Sequence, residues 1–172
     1  MKKICVLFVY FAVRKVIEAL PFDLDQLVND LYTWFKLSSA QRFDYADVQR
    51  EVLGDSVGQF FLKPVASRWL SMEPFCQRII DQYIALQKYF IDYLPKHEKV
   101  MIFTSKARYK RLKETFEDPT TLVYLNFDAY FFRPFTPFLV MFRQSQPLVH
   151  VLYQKANELV RQCMTMFIKM LS

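Results

Sequence analysis

Apolar residues along this chain recur every three or four positions, and Asp, Ser, Pro and Gly cut the pattern into helix-length pieces. After Leu20-Pro21-Phe22, Asp23 can cap a new helix, with Gln26 as its reciprocal partner three residues on. Leu24, Leu27, Val28, Leu31, Trp34 and Phe35 then share one face, which predicts an amphipathic helix to about Lys36 with Trp34 in the core. Ser38 or Ser39 caps a more polar helix through Phe43, Val48 and Val52, and Gly54 ends it. Residues 55–66 read as an irregular connection, with Arg68 and Trp69 at its far end. Ser71 caps a long helix whose stripe is Phe75, Ile79, Ile80, Tyr83, Leu86, Phe90 and Leu94. Pro74 is tolerated in its first turn, and Pro95 stops it.

Residues 96–105 form a basic connection, in which "KVMIF" fits a short strand or a buried turn. Thr104 or Ser105 opens a basic helix with a narrow stripe of Tyr109, Leu112 and Phe116. Asp118-Pro119 has the form of an N-cap followed by the first helical residue, and the next helix carries Leu122, Leu125, Ala129 and Phe132. Pro134 and Pro137 must kink or break it. Ser145 and Pro147 start a last helix through Leu148, Val151, Leu152, Leu159, Val160, Cys163, Phe167 and Met170, apolar to its last residues. The expectation is an all-α fold, a single domain over residues 1–172 of six to eight antiparallel helices, with at most a trace of strand near 100–103.

Composition agrees with long helices. Gly occurs only at positions 54 and 58, which excludes a Gly-rich nucleotide cradle of either common type. Cys5, Cys76 and Cys163 are odd in number and far apart, which fits small buried residues in a reducing compartment, nuclear or cytoplasmic. The start, "MKKICVLFVYFAVRKVIEAL", imitates a secretory signal, but its apolar run is short for a bilayer span and meets Arg14 and Lys15 without a small-residue cleavage site. It reads as a mostly buried helix. A secreted or membrane-anchored protein is the reading that rests on this run alone.

Charge sharpens the picture. The chain carries a net +6, and Lys96, Lys99, Lys106, Arg108, Lys110, Arg111 and Lys113 cluster with Glu98 as the one acid between them. That segment accounts for the whole net charge and points to a polyanionic partner. No chemistry stands out elsewhere. His97 and His150 lack Cys or carboxylates at metal-ligand spacing, no G-x-S-x-G is present, and Asp44 with Asp47 reads as a solvated face. No cofactor, metal or small-molecule substrate is expected.

The order of three stretches, "LPFDLDQLVNDLYTWF", "SRWLSMEPFCQRIIDQYIALQKYF" and "DPTTLVYLNFDAYFFRPFTPFLVMFRQSQPLVHVLYQKANELVRQCMTMFIKML", resembles hAT-type transposases, over nearly the whole chain. The motifs are S-R-W-L-S at 67–71 and P-L-V-H-V-L at 147–152. The resemblance implies the start of the helical insertion in an RNase H-like domain, and gives Trp69, with Arg68, a role in handling flipped or hairpin DNA ends; the residues by themselves also read as an aromatic anchor that locks the loop onto the long helix. It also departs from the family. "ICVL" stands where the family has C-x-x-H, and the family's Asp, Asp, Glu set falls outside this sequence. The expectation is therefore a non-catalytic, transposase-derived helical domain that binds DNA, non-specifically or as hairpin or single strand, through Arg68, Trp69, Lys106, Arg108, Lys110, Arg111 and Lys113. The alternative is a protein-interaction module, self-associating or docking other parts of a transposase-like protein through apolar helix ends, or a remnant without activity.

Overall fold

The computed structural model describes residues 15, 19–54, 61, 72–97, 103–143 and 149–171, and all regular structure among them is helical. The all-α expectation is met. Arg68, Trp69, the N-terminal apolar run up to residue 14 and most of the 55–71 connection lie outside the described residues, as do residues 98–102 and Ser145 to Leu148.

Helix α1 spans Leu24–Leu37 and α2 spans Ser39–Leu53. Both begin where the sequence places caps: Asp23 Oδ1 accepts from the Gln26 N–H at 2.8 Å, and Ser38 Oγ from the Gln41 N–H at 3.3 Å. Gly54 closes α2 at φ +69°, its N–H bonded to the Arg50 carbonyl at 3.1 Å. A side chain there would be strained by the backbone alone.

The long helix expected from Ser71 to Leu94 is not continuous. It runs as α3 (Met72–Asp81), then α4 (Tyr83–Gln87), a π-helical stretch Lys88–Tyr93, and the single turn α5 (Leu94–Lys96). The first break is at Gln82, whose φ −107° and ψ 9° leave the helix. Its side-chain oxygen accepts from both the Tyr45 hydroxyl (2.9 Å) and the Gln49 amide (2.6 Å) of α2. These buried bonds tie the joint to α2, and apolar periodicity carries no trace of them. The π turns widen the helix where two successive aromatics, Tyr89 and Phe90, are both fully buried.

Helix α6 spans Phe103–Glu117, so Phe103 opens a helix rather than closing a strand. Helix α7 spans Thr121–Phe132, α8 Phe135–Arg143 and α9 Val149–Leu171. Asp118 and Pro119 stand outside α7. Asp118 Oδ1 accepts instead from the Thr120 N–H (2.8 Å) and hydroxyl (2.7 Å), a local turn that postpones the helix to Thr121. The break at Pro134 is as expected, whereas Pro137 sits in the first turn of α8, where it removes no intrahelical bond.

The α4–π region is the hub, packed on α2 and α6, with α1 resting on α6 and α2. Phe35 stands at the centre of an aromatic cluster, its ring centroid 4.8 Å from Tyr45 and 5.9 Å from Tyr89. Trp34 meets Phe90 edge-on at 5.6 Å, and Phe90 stacks on Phe116 at 5.5 Å. Each such pair adds about 0.5–1.5 kcal/mol beyond burial. Trp34 is core, as its spacing predicts. The most extensive helix pair is α3 with α7, while α8 and α9 attach more slightly at the α7 end.

Candidate functional site

Three features carry chemistry. The first is the basic helix α6. Leu112 and Phe116 are buried and Tyr109 is half-buried, its hydroxyl donating to the Phe90 carbonyl at 3.2 Å. Most of the cations face solvent, as the narrow stripe suggests, but the two arginines also pair with α1. Arg111 grips Asp30 of α1 with two bonds, Nε to Oδ2 at 2.7 Å and Nη2 to Oδ1 at 2.8 Å. Arg108 Nε adds a third, to Oδ1 at 3.3 Å. Asp30 is buried, which by itself opposes its ionisation. The hydrogen bonds of Arg111 and Gln26 and the charges of Arg111 and Arg108 outweigh that and hold its carboxyl below the ordinary range. The same bonds raise Arg111 further above its ordinary value. Both arginines expected to hold phosphates therefore lock α6 onto α1. Lys106 and Lys110 stay exposed and Lys113 half-exposed. Lys110 and Lys113 have one-turn partners at loose distances, Glu114 at 3.7 Å and Glu117 at 3.6 Å.

Beside this joint lies a cleft of about 320 Å³, lined in part by Phe22, Asp23, Asp30, Arg111, Glu114 and Asp118. Its polar groups already have work: Asp23 caps α1, Asp30 holds the arginines, Asp118 makes its turn. Among the described residues no group of three His, Cys, Asp or Glu could hold a metal ion, and no helix is long and apolar enough to cross a membrane.

The second feature is Asp128. It is fully buried on α7, and neither carboxylate oxygen has a hydrogen-bond partner. Burial pushes its pKa up to about 7. Cys76 on α3, also fully buried, has its thiol pushed up by burial and, in addition, by the charge of Asp128.

The third is α9. Leu159 is buried, but Tyr153 is 80% exposed, Val160 55%, Met164 61% and Ile168 65%. With the exposed Asn157 they fall within about 80° of one another round the helix, at 100° per residue. The last helix is thus left with an uncovered apolar face, which shares only Val160 with the stripe its sequence predicts.

Neither Asp30 nor Asp128 is among the residues that the sequence singles out. Both carry a signal of one kind: an acid at the edge of an apolar stripe, about 40° round the helix from Trp34 and from Phe132 respectively. His97 stacks on Tyr93 at 4.1 Å. No family model, curated protein or solved structure matches the chain.

Proposed function

We propose that this chain is a non-catalytic helical docking module, in which α9 presents its apolar stripe to an amphipathic helix of another chain. The observation that supports it is the stripe Tyr153, Val160, Met164 and Ile168, exposed over half or more of each side chain while Leu159 anchors the opposite side. Scattered exposed apolar residues need no explanation, but a contiguous row does. The stripe covers fifteen residue steps, about 22 Å of helix at 1.5 Å each. It is straight and one side chain wide, a shape complemented by a second helix. The test is dye binding and melting of Val160→Glu with Met164→Glu. The double variant keeps its helicity and melting temperature and loses binding of a hydrophobic fluorescent dye. Unchanged dye binding overturns the reading.

A second reading, a transposase-derived domain with residual DNA affinity, has its own support in the ammonium groups of Lys106, Lys110 and Lys113 on α6. Loose surface pairs such as Lys110–Glu114 contribute about 0.3–0.5 kcal/mol, so a phosphate can displace them. Electrophoretic shift of a hairpin oligonucleotide at rising salt tests it, and absence of binding at low salt contradicts it.

A further inference from the structure

We infer that the occupant of the α9 stripe is a second copy of this chain, its own α9 laid parallel to the first; this rests on the docking reading above. The stripe carries no charge: Tyr153, Asn157, Val160, Met164 and Ile168 can each meet its twin without repulsion. A parallel pair related by a two-fold axis sets like residue against like residue along the seam. Asn157 then faces Asn157 of the second copy, and the two amides can bond to each other, the device by which one polar residue fixes register and orientation in a helical seam. An antiparallel pair centred on the stripe, with its axis between Val160 and Arg161, does worse on both counts. It sets Asn157 against the thioether of Met164, which accepts hydrogen bonds weakly. It also brings the exposed Arg161 beside its own twin across the axis, whereas in the parallel pair the two Arg161 side chains lie on opposite sides of the seam. The charge nearest the stripe is Arg161, about 20° round the helix from Ile168, whereas Lys155 and Glu158, paired at 2.6 Å, lie on the far side of α9.

The area sets the strength. Side chains of this size at these exposures present roughly 500 Å² of surface per copy, so complete burial of both stripes gives about 1,000 Å², below the roughly 1,200–2,000 Å² that stable pairs bury. The flanking Ala156 and Cys163, both half-buried, add a few tens of Å² each at most. An interface of this size fits a weak, reversible dimer rather than an obligate one.

The experiment is sedimentation velocity of the full chain from about 1 to 200 µM, a span that brackets micromolar affinity. Wild type moves from monomer to dimer across it. Met164→Glu alone and Met164→Lys alone each weaken the dimer at least about tenfold, as loss of a central contact does. An equimolar mixture of the two variants recovers it, because only a parallel pair sets position 164 against position 164. Dimers of wild type with no recovery in the mixture overturn the parallel arrangement. Wild type that stays monomeric throughout, while its stripe still binds the hydrophobic dye, overturns the second copy as occupant and leaves the docking reading standing. Monomer with no dye binding overturns both.

Discussion

Replacing Asp128 with Asn changes one property of a buried group, its capacity to ionise. The Asp128 carboxyl is fully buried against α3, both oxygens lack partners, and its pKa is raised from 3.8 to about 7 by burial. A folded-state pKa above the unfolded one means that the folded chain holds the proton more tightly. Stability is then greatest below the unfolded value and falls as pH rises, until the folded pKa is passed near 7. At 1.36 kcal/mol per unit, a shift from 3.8 to about 7 amounts to about 4 kcal/mol. Asn has the same shape and no such penalty. Asp128→Asn therefore matches wild type at pH 4 and exceeds it by about 4 kcal/mol at pH 8, which for a chain of this size raises the melting temperature by roughly 8–16 °C. Thermal melts followed by far-UV circular dichroism at half-unit pH steps measure this directly. An equal difference at every pH, or a less stable variant at pH 8, refutes the argument that an unpartnered carboxylate is buried there.

Asp30 has the opposite sign. Its lowered pKa means that its contribution is present above the ordinary carboxylate pKa of 3.8 and is lost as pH falls through the lower folded value. Asp30→Ala leaves Arg108 and Arg111 facing each other's charge and costs about 2–3 kcal/mol at pH 7 by urea titration. That is below the usual 3–5 kcal/mol for a fully buried pair, because the Arg111 side chain is 47% exposed, and the cost shrinks below pH 3.8. If the chain binds DNA, the three lysines of α6 give a log–log salt slope of about −2.7, whereas all five of its cations would give about −4.5; fluorescence anisotropy from 50 to 200 mM salt separates the two, and a slope near the larger value shows that the Asp30 pairs open on binding.

Much of the helical frame is legible in the residues themselves. Asp23, Ser38 and Gly54 mark ends through chemistry local to the backbone, so they can be read without a fold. Apolar spacing places Trp34, Phe75, Ile79, Leu86 and Phe90 in the core because burial on one face is what that spacing produces. What escapes the sequence depends on partners distant along the chain. Gln82 breaks its helix for Tyr45 and Gln49, which lie 37 and 33 residues away. Arg108 and Arg111 look like free cations until Asp30, 78 and 81 residues off, comes to rest beside them. The candidate site was half visible: the apolar last helix could be suspected, but which of its residues stay uncovered depends on how α8 and α9 meet the rest of the domain.

Hydrogen exchange of the α9 amides at two protein concentrations, on the order of 1 and 200 µM, tests self-pairing through α9 most directly, since exchange reads local opening residue by residue. The predicted result is slower exchange at the higher concentration for residues 153–168, with α1 and α6 unchanged. Exchange along α9 that is identical at both concentrations contradicts a face built to pair with its own copy.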